Sequence, residues 1–152
     1  MPVFVIRHAY AGERAAWTGA DPERPLDDLG WEQAGEIARV VAEQPVTRLV
    51  SSPAVRCVET LGPLADKVGL SIEVDERLAE GSDGAGVLAL LAEVPELTVL
   101  CVHGSELTTI VDECVVTGER SLGKAVIWTI ERDGAGRAVA ARSRPCPVLE
   151  SA

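Results

Sequence analysis

The chain has 152 residues, a length typical of one domain with a single core. Hydrophobic residues make up 47% of the chain but aromatic residues only 3%, which predicts an aliphatic core and favours the α/β class. The formal net charge of −10 argues against binding nucleic acid or an anionic membrane, because both need a basic surface, so any anion site must be a local cationic pocket.

Four short apolar runs predict buried strands, and helical patterns alternate with them. The predicted strands are residues 3–6, 48–51, 71–74 and 98–102. The predicted helices are residues 31–43, 53–68, 85–92 and 105–116. Pro45 ends the first helix, Ser52 caps the second at Pro53, and Gly69 ends it. This alternation predicts a three-layer α/β/α sandwich with a mainly parallel sheet and right-handed crossovers.

The last part of the chain follows a different pattern. Residues 125–131 and 137–141 flank Asp133-Gly134-Ala135-Gly136, a turn sequence that predicts a β-hairpin. We expect its antiparallel strands at the edge of the sheet. The sequence contains no repeat, low-complexity tract or linker, so residues 1–152 are predicted to form a single domain.

Cysteine spacing and the N-terminal sequence bear on location. The four cysteines, at positions 57, 101, 114 and 146, form no CxxC pair and have no zinc spacing, which predicts reduced thiols in the cytosol. The first apolar run is only four residues long before Arg7, too short for a signal sequence or a membrane span. We therefore expect a cytoplasmic protein without a membrane partner.

Each of the two histidines directly follows a predicted strand. His8 comes after the strand at 3–6 and Arg7, and His103 comes after the strand at 98–102. Because the carboxyl ends of parallel strands meet at one edge of a sheet, we expect both imidazoles to face one cleft. A single histidine at a strand end is usually structural, but the same placement of both indicates a site.

Two arginines accompany the histidines. Arg7 shares the end of the first strand, and Arg56 lies in the first turn of the helix predicted at 53–68. A cation there opposes the helix dipole unless an anion binds nearby. Arg56 alone is equally well explained as a solvated surface residue. Together with the histidines it predicts a phosphate clamp, since guanidinium groups form paired hydrogen bonds with phosphate oxygens.

These motifs resemble the histidine phosphatase superfamily, also called the phosphoglycerate mutase-like family, whose signature is Arg-His-Gly after strand one. The chain has Arg7-His8-Ala9, and further matches follow in the family's order: SSPAVRCVET with Arg56, RLAEGSDG with Glu80, and VHG with His103. About two dozen residues separate Arg56 from Glu80, so the helical insert that caps larger members is missing. The chain is therefore most similar to SixA-type phosphohistidine phosphatases and to the phosphatase-like domain of some actinobacterial Nudix hydrolases, a match that DPERPLDDLGWEQA strengthens.

The resemblance implies a phosphoglycerate mutase-like fold and an enzyme in which His8 attacks phosphorus and forms a phosphohistidine that water hydrolyses. Arg7, Arg56 and His103 would hold the phosphoryl oxygens and supply the charge that other phosphatases obtain from metal. The guanidinium groups disfavour the imidazolium form of His8, and its second ring nitrogen should donate to a backbone carbonyl. Since no carboxylate ligand set accompanies the histidines, we expect no metal and no other cofactor.

Other candidate residues have alternative roles. Glu80 would protonate the leaving oxygen if burial leaves its carboxyl a proton near neutrality, although a solvated surface glutamate is the commoner case. Arg24 would contact substrate at the rim, but pairing with an adjacent acid is favoured. Ser105 is expected to cap the helix after His103, with phosphate contact as the alternative. Trp17 would line the cleft or cover the core.

The departures from the family also carry predictions. Ala9 stands where glycine is usual, so the backbone there must avoid positive φ or bear its energetic cost. A mutase needs a closed site, so the missing cap favours hydrolysis. The predicted substrate is a phosphohistidine protein, whose leaving group needs little acid help, or a small phosphorylated molecule. Two alternatives stay open: a phosphate-binding or interaction module without turnover, and a phosphatase partner of a nucleotide-processing enzyme. The sequence predicts no oligomeric state.

Overall fold

The computed structural model describes residues 1–148, which form one seven-stranded sheet with helices on both faces. The strands are β1 (Val3–Arg7), β2 (Arg48–Ser51), β3 (Ile72–Val74), β4 (Thr98–Val102), β5 (Val115–Val116), β6 (Ile127–Arg132) and β7 (Ala138–Arg144). The helices are α1 (Asp28–Val41), α2 (Val55–Val68), α3 (Gly84–Glu93) and α4 (Gly104–Val111). Short 3-10 turns lie at Arg14–Ala16, Asp21–Glu23 and Glu76–Leu78.

The strand order is β3-β2-β4-β1-β6-β7-β5. Strands β1 to β4 run parallel, and β6 is antiparallel to both β1 and β7. The predicted α/β sandwich with antiparallel C-terminal strands is therefore confirmed. The hairpin does not form the outermost edge, because the two-residue strand β5 pairs in parallel with β7 beyond it.

Alternate residues of β1 pack into two different cores. Phe4 and Ile6 join a cluster with the buried faces of α1 and α2. Val3 and Val5 join a second cluster with α3, α4 and Trp128 on the opposite face. Successive side chains of a strand point to opposite sides, so both faces of β1 are covered. No helix among residues 1–148 has the length and apolarity needed to span a bilayer.

Helix starts differ from the predicted positions for local reasons. Helix α1 starts three residues early, because the Asp27 side chain accepts a hydrogen bond from Gly30 N at 2.9 Å and caps the helix at this earlier point. Helix α2 starts at Val55 after Ala54, so the prediction that Ser52 caps it was wrong. Gly69 ends α2 in the left-handed conformation, with φ of 71°, as a C-terminal glycine should.

The helix predicted at 105–116 was too long at its C-terminal end. It ends at Val111, and the β-branched pair Val115–Val116 forms strand β5 beside β7 instead. The prediction that Ser105 caps this helix was also wrong, since His103 occupies the N-cap position and the helix begins at Gly104.

The start of α1 is packed directly against the loop that follows β1. A Cβ added at Gly30 would lie 1.9 Å from the carbonyl oxygen of Tyr10. Gln33 Oε1 accepts a hydrogen bond from Tyr10 N at 2.9 Å, and Asp27 N donates to Tyr10 O at 3.3 Å. Helix α1 thus fixes the backbone two residues beyond His8.

We predict that Gly30→Ala destabilises the protein by about 1–3 kcal/mol, since the new methyl group forces the Tyr10 carbonyl away. Gly35→Ala is the matched control in the same helix, because a Cβ there meets no atom within 4 Å among the described residues. The control should be neutral or stabilising by up to about 1 kcal/mol. Urea unfolding of the two variants measures the difference, and equal stabilities would contradict the close approach.

Candidate active site

The two histidines lie side by side at the carboxyl ends of adjacent parallel strands. The register of β1 and β4 aligns Arg7 with Val102, so His8 and His103 are the next residues. His8 N donates to Val102 O at 3.0 Å, and the imidazole centroids are 5.3 Å apart. Only 4% of His8 and 1% of His103 is exposed. The structure therefore brings together the two histidines that the sequence placed at one sheet edge.

The ring of His8 is oriented by its own loop. Nδ1 lies 2.8 Å from the carbonyl oxygen of Ala9, which can only accept, so Nδ1 carries the proton and Nε2 keeps its lone pair. Burial lowers the pKa of His8 to about 3, with smaller contributions from the charges of His103, Arg56 and Arg7. Desolvation, and not the charge of the arginines expected from the sequence, is therefore the main cause of the lowered pKa. His8 is thus neutral at physiological pH, as a nitrogen nucleophile must be.

Ala9 is accommodated without backbone strain. Among residues 1–148, the non-glycine residues with positive φ are Leu97 and Ala125, so Ala9 avoids that region as expected. Its N–H donates to Thr60 Oγ1 at 2.9 Å, and the Thr60 hydroxyl donates to Arg56 O at 2.6 Å. Helix α2 therefore supports the backbone beside His8.

One ring nitrogen of His103 faces Ser52 and Cys57, and the other faces Arg56 and Glu80. Nε2 lies 2.8 Å from Ser52 Oγ and 3.6 Å from Cys57 Sγ. Nδ1 lies 3.5 Å from an Arg56 nitrogen, which can only donate. Ser52 Oγ is thus the hydrogen-bond partner of Nε2, while Nδ1 faces Arg56 and Glu80. Ser52 orients the second histidine, a role that the sequence analysis missed.

Arg56 is buried, with 1% exposed, and is held in place by Asp21. Its guanidinium donates to the Asp21 carbonyl at 2.9 Å and to Asp21 Oδ2 at 3.0 Å. Its Nε is buried and finds no hydrogen-bond partner within residues 1–148. The positive charges of Arg14, Arg24 and Arg56 lower the pKa of the Asp21 carboxyl despite its partial burial.

Arg7 lies against the start of α4. Its guanidinium donates to Leu122 O at 2.6 Å, and a Cβ added at Gly104 would lie 3.2 Å from Arg7 Cζ. Gly104 therefore permits the close approach of this cation to the first turn of the helix. Both the guanidinium and the positive end of the helix dipole favour an anion at this position.

Glu80 reaches the same group of residues from the loop before α3. Its carboxylate lies 2.9 Å from Arg14, 3.4 Å from Arg56 and 3.8 Å from His103 Nδ1. The side chain is 43% exposed and paired with two arginines. A general acid was expected to be buried. The loop instead leaves this carboxylate exposed at the mouth of the site.

Three other candidates have different surroundings from those expected at a substrate contact. Arg24 donates to Asp21 Oδ1 at 3.2 Å and to the carbonyl of Ala11 at 2.7 Å, which is the pairing alternative. The Ser105 hydroxyl donates to Glu106 Oε2 at 2.7 Å. Trp17 is 37% exposed and donates to a neighbouring loop carbonyl, so it neither covers the core nor lines the cavity.

A cavity of about 250 Å³ opens at this edge of the sheet. It is lined by Arg7, His8, Tyr10, Gly12, Glu13, Arg14, Arg24, Arg56, Glu80 and Lys124. Five of these are cations and two are carboxylates, in a chain with a net charge of −10. Within residues 1–148, no group of three or more His, Cys, Asp or Glu side chains is arranged to hold a metal ion. The cavity is suited to a small, doubly charged anion beside an unprotonated imidazole nitrogen.

Comparison with known proteins gives one family match and two kinds of sequence relative. Residues 3–88 match the model of the Histidine phosphatase superfamily (branch 1). An 8-oxo-(d)GTP phosphatase of Mycolicibacterium smegmatis is 30% identical over 116 residues, which are 72% of this chain and 36% of the relative. A Probable phosphoglycerate mutase GpmB of Yersinia pestis is 33% identical over 85 residues, 53% of this chain and 38% of the relative. The chain thus spans little more than a third of these relatives.

Solved structures share the fold. The protein histidine phosphatase SixA, solved with tungstate, superposes with a TM-score of 0.70 at 24% identity, covering 91% of this chain and 92% of SixA. A mycobacterial glucosyl-3-phosphoglycerate phosphatase superposes with a TM-score of 0.64 at 15% identity, covering 93% and 96% of the two chains. At these identities the likeness concerns the arrangement of helices and strands.

We predict that His8 stays neutral, with the proton on Nδ1, from pH 7.5 down to about pH 5, because burial lowers its pKa to about 3. Nitrogen-15 NMR of the imidazoles measures the titration, and the chain has only two histidines to assign. A His103→Gln variant provides the assignment. A His8 midpoint near its ordinary value of 6.5 would contradict the desolvated site.

Proposed function

Because the chain belongs to the histidine phosphatase superfamily, we propose that it hydrolyses a phosphomonoester or phosphohistidine through a phosphohistidine intermediate on His8, without a metal ion. The neutral, buried imidazole of His8 beside Arg56 and His103 is the observation that carries this proposal. A site that only bound phosphate would gain nothing from an unprotonated imidazole, since a charged one would bind the anion better.

In the first step, His8 Nε2 attacks phosphorus on the side opposite the leaving group. The N–P bond forms while the bond to the leaving atom breaks, and that electron pair goes to the leaving group. The hydrogen bond from Nδ1 to Ala9 O holds the ring in line and stabilises the positive charge that it gains. Arg7, Arg56 and His103 stabilise the charge on the phosphoryl oxygens.

In the second step, a water molecule attacks the phosphorus of phosphohistidine. The N–P bond breaks, its electron pair returns to Nε2, and orthophosphate leaves with the oxygen of that water. The cations supply the charge stabilisation for which many phosphatases use a metal ion. The open cavity gives water access to the intermediate, which supports hydrolysis over a mutase reaction.

Glu80 has a narrower role in this mechanism than a general acid for every substrate. Its carboxylate is paired with Arg14 and Arg56 at the exposed mouth of the site. We infer that Glu80 assists poor leaving groups, whereas a phosphohistidine or aryl phosphate reacts with little help from it.

We predict that His8→Ala lowers kcat on 4-nitrophenyl phosphate on the order of 10⁴-fold or more, because the nucleophile is lost. EDTA in excess should leave the wild-type rate unchanged. In reactions with phosphorus-32 substrate, the wild-type protein should carry a label that is lost in acid and kept in base. The His8→Ala variant should carry no label. Lys67→Met, a substitution on the exposed side of α2, is the control for effects of substitution and purification in general. Activity that survives in His8→Ala would refute the mechanism, and loss in EDTA would refute metal independence.

We also predict that Glu80→Gln slows hydrolysis of an alkyl phosphate by about 10²-fold while changing the rate with 4-nitrophenyl phosphate much less, since nitrophenolate leaves without a proton. Steady-state kinetics with both substrates measures the two effects. Equal losses with both would mean that Glu80 acts only by holding Arg14 and Arg56.

A second candidate function is that of a nucleotide phosphatase or a partner of a nucleotide-processing enzyme. The sequence relative from Mycolicibacterium smegmatis supports this candidate, because that protein is an 8-oxo-(d)GTP phosphatase. Side-by-side assays with a phosphohistidine peptide, a sugar phosphate and a nucleotide separate the two. A kcat/KM highest for the nucleotide would favour the second candidate.

A further inference from the structure

Glu106 is a buried glutamate of α4 that the mechanism proposed above does not use. It lies in the first turn of the helix, three residues after His103, and only 2% of it is exposed. Its Oε2 accepts hydrogen bonds from Gly81 N at 3.1 Å and from the Ser105 hydroxyl at 2.7 Å. Its Oε1 is also buried, and no hydrogen-bond partner for this oxygen lies within residues 1–148.

A carboxyl group in such surroundings reduces the stability of the fold. A buried acceptor without a donor loses its hydrogen bonds to water and gains none in return. An apolar side chain of the same length would fill the space beside α4 without this loss. A buried polar atom that lacks a partner in a native structure therefore calls for another explanation, and a role in the site is one.

The hydrogen bond from Gly81 N joins α4 to the loop that carries Glu80. Gly81 has a φ of 78°, which glycine adopts without strain, and in this turn its N–H points to the Glu106 carboxyl. The Ser82 hydroxyl donates to Arg77 O at 2.7 Å, so the next residue is tied back to the preceding 3-10 turn. The bond to Glu106 instead ties the loop to a helix of the core.

The same turn of α4 carries His103, so Glu106 fixes Glu80 relative to the second histidine. His103 is the N-cap of α4, and its carbonyl accepts from Leu107 N at 3.0 Å. Leu107 and Ile110 are fully buried, so this helix is anchored in the core. Glu80 lies 3.8 Å from His103 Nδ1 and lines the cavity. A loop released from Glu106 would move Glu80 while His103 stayed in place.

We propose that Glu106 is a positioning residue that holds the loop at Gly81 and so keeps the Glu80 carboxyl at the leaving-group side of the cavity. The proposal rests on the proposed phosphatase function and on the role given there to Glu80. A group that assists a leaving atom must lie within hydrogen-bond reach of it. A displacement of about 1 Å lowers such a rate by as much as about 10²-fold. Glu106 should therefore matter only for substrates that need Glu80.

The test compares Glu106→Met with Glu106→Gln, two side chains of the same length as glutamate. Methionine removes the oxygen that accepts from Gly81 N, whereas glutamine keeps one. Glu106→Met should lower kcat on an alkyl phosphate about tenfold or more with little change in KM, because Glu80 is misplaced. The rate with 4-nitrophenyl phosphate should fall less than about threefold, since nitrophenolate leaves without a proton. Glu106→Gln should restore most of the alkyl phosphate rate.

A matched control and a double-mutant cycle show whether Glu106 acts through Glu80. Glu113→Met, at an exposed position two residues beyond the end of α4, should leave both rates unchanged. In the Glu80→Gln background, Glu106→Met should cause no further loss with the alkyl phosphate, because the group that it positions is already absent. Additive losses would overturn the proposal. Equal losses on both substrates, or an unchanged alkyl phosphate rate in Glu106→Met, would overturn it as well.

Amide hydrogen exchange measures the hydrogen bond itself, independently of activity. The Gly81 amide should be protected in the wild type and should exchange about tenfold faster in Glu106→Met, because one hydrogen bond is lost. An unprotected Gly81 amide in the wild type would overturn the proposal whatever the variants do. Thermal unfolding of each variant verifies that the fold is intact. Hydrolysis of 4-nitrophenyl phosphate that depends on His8 would show that the proposed function stands even so.

Discussion

The parallel pairing of β1 with β4 places Arg7 opposite Val102, and the chain continues from both strands into a histidine. Both strands are buried among aliphatic side chains on the two faces of the sheet, so a shift of register by one residue would exchange the side chains packed into each core and disrupt the packing of both. The distance between the imidazoles is therefore set by the core. Burial of the same strand ends also keeps His8 neutral, so one constraint determines both the position and the protonation of the proposed nucleophile.

Asp21 allows a cluster of cations to form before any substrate arrives. It accepts from Arg14, Arg24 and Arg56, and these side chains would otherwise repel one another around a small cavity. Asp21 thus holds these three guanidinium groups together beside the cavity. Preorganised charge of this kind stabilises a transition state without the cost of reorienting dipoles during the reaction.

Local signals in the sequence were enough to predict the fold and the meeting of the two histidines at one sheet edge. His8 and His103 follow recognisable strands, and Arg56 lies in the first turn of a recognisable helix. Contacts between distant segments escaped prediction. Ser52 before a proline resembles a helix cap, but its hydroxyl meets His103 from another element. Lys124 reaches the site only because β6 pairs with β1. Glu80 is exposed because its loop lies at the mouth of the site.

The Nε of Arg56 is buried without an acceptor among residues 1–148, and the cavity that Arg56 lines holds five cations. Such a cavity attracts compact tetrahedral oxyanions, and orthophosphate is one of them. In the proposed hydrolysis, the released orthophosphate would therefore compete with the substrate for the donors that recognise it. Turnover by such a site slows as phosphate accumulates, which links its rate to the phosphate content of its surroundings.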